Sequence, residues 1–219
     1  MNRSLPFIIV GAVALILCGS GVMLYRAKRL PAPTAATDGE KTADLHMRGD
    51  AKAPVTLEEF GDFQCPPCGK VAAALHEIEK DYGSKLRVIF HQFPLAMHAH
   101  ARDAAIASEA AHKQDRFWEM HDILYKEQDV WSKSLDVPFL INSYAAKIGL
   151  DVERFKKDLK DPAVAARVDA DQQIGLSRGV LSTPTIFINK TPLPPTSLNP
   201  PAIRAAIDEA LKATPTPKP

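Results

Sequence analysis

Phe60-Gly61-Asp62-Phe63-Gln64-Cys65-Pro66-Pro67-Cys68-Gly69-Lys70 is the stretch that decides the fold. It sets two cysteines three positions apart, after an apolar run and before an amphipathic one, so a dithiol lies at a strand-to-helix turn. Beyond Cys68 the apolar residues Val71, Leu75, Ile78 and Tyr82 recur at helical spacing, and Gly83 supplies a stop. Cys65 is thereby expected at or just before the helix N-terminus, where unpaired N–H groups and the helix dipole favour negative charge. Pro66 and Pro67 cost little in the first helical turn, because their missing N–H groups have no partner there. An ordinary cysteine, with a pKa of ~8.5, is about 3% thiolate at pH 7, whereas helix N-termini and Cys-x-x-Cys motifs bring the pKa to roughly 3.5–7.5. A low pKa also makes Cys65 a good leaving group, so a mixed disulfide there is open to displacement by Cys68. A redox dithiol is the reading these residues favour. Half of a zinc site and a structural disulfide stay open, although zinc wants a second Cys or His pair and Cys18 is the only other cysteine.

Outward from this turn, Val55-Thr56-Leu57-Glu58-Glu59-Phe60 is a strand leading into it, and Leu86-Arg87-Val88-Ile89-Phe90 is a second strand after the helix. Strand, helix and strand at this spacing make a βαβ unit, for which a right-handed crossover is the rule. A Cys-x-x-Cys beside such a unit reads as thioredoxin-like. The next eighty residues read as helical. They comprise an alanine-rich segment from Ala101 to Lys113, a stripe of Phe117, Met120, His121 and Leu124, and another of Leu140, Tyr144 and Ile148 ending at Gly149. Asp151 and Asp161-Pro162 are expected to cap two more helices, the second carrying Val164 and Val168. Thr183-Pro184-Thr185-Ile186-Phe187-Ile188-Asn189 returns to β character, and Asn199-Pro200-Pro201 opens a last helix with Ile203, Ile207 and Leu211 on one face. No internal repeat is present.

The ends differ in kind. The net charge of +1 conceals an uneven distribution: Arg3, Arg26, Lys28 and Arg29 fall in the first thirty positions with no acid among them, which leaves −3 for the rest. No basic patch calls for nucleic acid. Residues 5–25 are apolar and uncharged, long enough to span a bilayer once. Gly19, Ser20 and Gly21 suit signal cleavage, but Val22-Met23-Leu24-Tyr25 prolongs the apolar run, so residues 1–29 read as an uncleaved signal anchor, a single transmembrane helix. Cys18 follows Leu17, too large for the usual lipidation signal. Flanking charge slightly favours the opposite orientation, yet an N-terminal hydrophobic signal outweighs a difference of one charge. Residues 30–43 read as a flexible linker, and 213–219 as a disordered, polyproline-like tail.

Four blocks together resemble the DsbA-like thiol–disulfide oxidoreductases: Glu59-Phe60-Gly61-Asp62-Phe63-Gln64-Cys65-Pro66-Pro67-Cys68, Phe93-Pro94-Leu95 with His98, Phe117-Trp118-Glu119-Met120-His121-Asp122, and Gly179-Val180 followed by Thr183-Pro184-Thr185. The resemblance covers residues 44–212. It implies an α/β thioredoxin fold with a helical insertion over about 97–178, following the N-terminal transmembrane helix. Cys65 then looks like the exposed nucleophile and Cys68 like the buried resolving thiol, with Pro66 and Pro67 completing the active-site motif. Thr183-Pro184 looks like the cis-proline loop that pairs with a bound peptide, and Glu59 like the buried carboxylate that moves the resolving cysteine's proton.

The implied protein forms disulfides in reduced client proteins. It is a monomer in the inner membrane with its catalytic domain facing the periplasm or exterior, it is reoxidised by a membrane quinone-linked thiol oxidase, and it needs no cofactor or metal. Pro67 stands where the most oxidising members carry a histidine, which points to a less stabilised thiolate and a weaker oxidant. Leu181-Ser182 replaces a glycine that many relatives carry before the Thr-Pro pair. Two rival readings remain. One is a reductase or isomerase of the same fold, disfavoured because the linker is too short for a dimerisation module. The other is a copper metallochaperone using Cys65, Cys68 and His98, suggested by the local cluster of His91, Met97, His98 and His100.

Overall fold

The computed structural model describes residues 45–213. The segments read above as a signal anchor (1–29) and a linker (30–43), and the tail beyond 213, lie outside the described residues. Among the described residues no helix is long and apolar enough to cross a membrane.

A five-stranded mixed sheet runs in the order β1-β3-β2-β4-β5, formed by β1 (His46–Gly49), β2 (Val55–Gly61), β3 (Leu86–Gln92), β4 (Thr185–Ile188) and β5 (Thr191–Pro192). β2 pairs in parallel with β3 and antiparallel with β4, so the strand that feeds the dithiol is central. The crossover between β2 and β3 is α1 (Pro66–Tyr82), whose buried face is Cys68, Val71, Leu75 and Ile78. Val71, Leu75 and Ile78 of that face pack with Leu57, Val88, Ile186 and Ile203 into one apolar core, and each such side chain contributes roughly 1.5–3 kcal/mol on burial. Gly83 ends the helix with φ +50°, a left-handed conformation that glycine adopts without a side-chain clash.

Between β3 and β4 the chain forms six helices: α2 (Ala101–His112), α3 (Phe117–Lys126), the short α4 (Gln128–Trp131), α5 (Val137–Lys147), α6 (Val152–Asp158) and α7 (Pro162–Ser177). Asp151 and Asp161 cap α6 and α7, accepting from Arg154 N and Ala163 N. The alanines of α2 are buried against Phe117, Met120, Leu124 and Phe155, and this second core reaches Phe63 and the dithiol itself. In α5 the expected Tyr144 is buried together with Val137, Ile141 and Ala145, whereas Leu140 and Ile148 are only partly buried against the same core. The last helix, α8 (Pro200–Ala213), buries Ile203 and Ile207.

The end of β3 carries a buried charge cluster. His91 lies 3.5 Å from Asp171 and 3.4 Å from Glu58, stacked on Phe60 with ring centroids 4.6 Å apart. Arg167 and Arg178 pair with Asp171 and Glu58 in turn. Burial opposes the charge on His91, but the two carboxylates overcome it and hold its pKa above the ordinary value. Glu58 is held at about 2, its own burial outweighed by His91 and Arg178. Because the folded pKa of His91 exceeds the unfolded one, its contribution is complete below about pH 6.5 and fades as pH rises through the folded value. His91→Gln is therefore expected to lose about 2 kcal/mol near pH 6, with the gap narrowing towards pH 9 in urea titrations.

Candidate active site

The last residues of β2, the turn after it and the first turn of α1 build the site. Cys65 is the N-cap of α1, in extended conformation, with Pro66 and Pro67 opening the helix. Its carbonyl accepts from Cys68 N at 3.0 Å and Gly69 N at 3.3 Å. Both cysteines are thiols; Cys65, expected as an exposed nucleophile, is itself buried at 5% exposure, and Cys68 is wholly buried. The two sulfurs differ sharply in acidity. Donation from the Cys68 thiol is the largest influence on Cys65 and favours its thiolate; burial opposes it, while the Thr183 hydroxyl and Cys68 N–H support it. The balance brings Cys65 down to about 6. Burial pushes Cys68 well up, and its role as donor to Cys65 and the nearby Glu59 and Cys65 charges push it further.

The Thr183–Pro184 bond is cis, and the loop lies against the dithiol through Thr183. The Cys65 thiol donates to the Thr183 carbonyl at 3.4 Å, and the Thr183 hydroxyl, without another partner, is positioned to serve the thiolate instead. Beside the pair lies a groove of about 380 Å³ lined by Pro67, Lys70, Val71, Pro184, Leu198 and Pro200.

Glu59, paired in the sheet with Phe90 and Ile186, is 1% exposed. Burial first, then the charges of Glu79 and Cys65, raise its pKa to about 8, with Arg48 opposing. Its Oε1 has no hydrogen-bond partner and faces a cavity of about 10 Å³ shared with Arg48, Glu79, Trp118 and His121, about the room one water needs. A buried, protonated carboxyl thus stands below the dithiol.

Sequence reasoning missed Asp62. Its side chain is buried and accepts from Gln64 N (2.7 Å), Leu95 N (2.8 Å) and His98 Nδ1 (2.7 Å), tying the dithiol turn to the loop after β3. An aspartate between Gly61 and Phe63 at a strand end was the available signal, since Asp favours such turns. The structure thus brings Cys65, Cys68, Glu59, Thr183, Pro184, Pro66 and Pro67 to one place. It does not assemble the copper set: His98 turns its Nδ1 to Asp62, and among the described residues no three His, Cys, Asp or Glu side chains form a metal-ligating group.

A family model described as Thioredoxin matches residues 41–209. Oxidised BdbD from Bacillus subtilis is similar at 28% identity, over 76% of this chain and 92% of that one, with a TM-score of 0.68. The chain belongs to the DsbA-like thioredoxin family. Another DsbA-like structure, alpha-DsbA1 from Wolbachia pipientis, shares the fold at 21% identity with a TM-score of 0.68, over 85% of this chain and 95% of that one. Among curated sequences, the Na(+)/H(+) antiporter NhaA 3 of Salinispora tropica is 40% identical over 145 residues, 66% of this chain and 21% of the antiporter. The chain therefore spans about a fifth of the length of that curated relative.

Proposed function

We propose that this DsbA-like chain is a membrane-tethered, extracytoplasmic thiol–disulfide oxidoreductase that forms disulfides in client proteins. In its oxidised state a client thiolate attacks the Cys65 sulfur and Cys68 leaves as a thiol. A second client thiolate then attacks the client sulfur of the mixed disulfide, releasing an oxidised client and Cys65 thiolate. Two electrons pass from client to protein; of the two protons the client thiols give up, one ends on Cys68 and the other goes to solvent, because Cys65 is left as thiolate. A membrane quinone-linked thiol oxidase takes the electrons onward, and the apolar segment 5–25 keeps the protein beside it. Thr183 offers backbone to a client strand, Pro184 and the neighbouring groove receive its apolar side chains, and Glu59 moves the Cys68 proton. The chain acts as a monomer.

One observation carries this reading: a single turn splits two thiols into an acidic, slightly exposed one and a reluctant, buried one. A stabilised Cys65 thiolate favours the reduced protein, which makes the disulfide an oxidant. Alkylation of Cys65 across a pH series is expected to show a midpoint near 6, and Cys65→Ala to abolish oxidation of a reduced client. A midpoint no lower than that of a free thiol would end the proposal. The equilibrium with a glutathione buffer then separates net oxidase from net reductase.

A further inference from the structure

The dithiol turn is gripped from the helical insertion by a residue outside the motif. Gln128, first residue of α4, donates from its Nε2 to the carbonyls of Phe63 at 2.6 Å and Cys65 at 3.0 Å. One amide nitrogen carries two hydrogens, so each carbonyl takes one. The Cys65 carbonyl thereby receives three donors, from Cys68 N, Gly69 N and Gln128. The grip is backed by a rigid base: Trp131, three positions on, is wholly buried and donates its Nε1 to Leu124 O at 2.6 Å. A second glutamine works the same seam in reverse. Gln64, next to Cys65, accepts from His100 N at 2.7 Å and reaches Ser132 O at 3.5 Å.

Gly69 explains the fit. A Cβ there would lie 2.8 Å from Gln128 Oε1 and 3.3 Å from its Cδ, closer than side chains pack. A glutamine ordinarily swings away from such a contact. This one cannot without giving up both carbonyls. The glycine after Cys68 therefore admits Gln128, and no positive φ demands it.

We propose that Gln128 is a positioning residue through which the helical insertion sets the acidity of Cys65, with Gly69 left bare to receive it. This deepens the dithiol reading above and rests on it. Two carbonyl oxygens carrying partial negative charge share the turn with the Cys65 sulfur. Donation from Gln128 offsets that charge and holds the turn so that Cys68 N–H and its thiol face the thiolate. Without the amide, the charged sulfur is less favoured and the disulfide becomes a weaker oxidant.

The test uses Q128M, which keeps length but removes both donors, together with G69A, Q128A and the double variant. Thiolate absorbance against pH reads the Cys65 pKa, and the glutathione equilibrium reads the potential. For Q128M the pKa is expected to rise by about one, and the equilibrium to shift roughly tenfold towards the disulfide, which is about 30 mV for a two-electron couple. G69A is expected to shift both in the same direction, and to add nothing once Q128A has opened the space. Because G69A strikes the same contact from the other side, it carries the test where Q128M folds poorly. An acidic wild-type Cys65 unmoved by Q128M and Q128A overturns this proposal and leaves the dithiol reading standing. A G69A shift that persists undiminished in the Q128A background also overturns it. An ordinary pKa for wild-type Cys65 overturns both.

Discussion

Cys68→Ala converts a transient adduct into a stable one. Presented with a client whose single thiol is activated as a mixed disulfide with a small thiol, the Cys65 thiolate displaces that thiol and stays joined to the client. In the wild type, with its pKa at about 6, Cys65 is about 90% thiolate at pH 7. Cys68→Ala removes the strongest donor to that thiolate and raises the pKa, so the trapping reaction is run at mildly alkaline pH, where the thiolate is again populated. In the wild-type protein Cys68 removes the client from Cys65 as the internal disulfide closes. That step is intramolecular, and its loss is expected to lengthen the life of the adduct on the order of a thousandfold or more. The adduct should run as a single heavy band on a non-reducing gel, with the linkage at Cys65 by mass spectrometry. Cys65→Ala should give no adduct at all, because Cys68 is wholly buried and its pKa is pushed up, so it presents neither access nor charge. Decay of the Cys68→Ala adduct at the wild-type rate would remove Cys68 from the mechanism, and an adduct on Cys68 would invert the two roles.

How far this was legible in the sequence depends on which force shapes each part. The dithiol helix was readable end to end, since Val71, Leu75 and Ile78 set its period, the prolines its start and Gly83 its stop. The caps Asp151 and Asp161 were readable for the same local reason, a side-chain oxygen meeting the first free N–H groups. β1 was not, because His46-Met47-Arg48-Gly49 has no strand pattern of its own and becomes a strand only by pairing with β3. α4 escaped too: four residues carry no period, and Gln128 looks like any surface glutamine until the fold lays it on the Phe63 and Cys65 carbonyls. Glu59 shows the same limit in the site. Its alternation along β2 allowed a half-exposed carboxylate, and only the strands on both sides, with α1 and His121 above, make it buried. Local chemistry was legible; contacts between distant segments were not.

Glu59→Gln should separate what this carboxyl does for stability from what it does for exchange. In the unfolded chain its pKa is about 4.5, and in the folded protein about 8. Below pH 4.5 both states hold the proton, so Glu59 exacts no ionisation penalty. Between pH 4.5 and 8 the unfolded chain sheds the proton while the folded one keeps it, and stability falls by about 1.4 kcal/mol per pH unit. By pH 7 that amounts to about 3 kcal/mol. Gln does not titrate, so the variant should gain on the wild type by this amount between pH 4 and pH 7 in urea unfolding. A fixed offset from its buried amide, about 1–3 kcal/mol, leaves the slope untouched. Exchange should move the opposite way. As a base for the buried Cys68 thiol, Glu59 is competent only when ionised, so closure of the internal disulfide should quicken through pH 8 in the wild type. In Glu59→Gln it should lack that rise and run on the order of a hundredfold slower above it. A carboxyl that merely fills the core would give the first result without the second, so rapid-mixing measurements of mixed-disulfide decay between pH 6 and 9 decide whether Glu59 moves a proton or only occupies space.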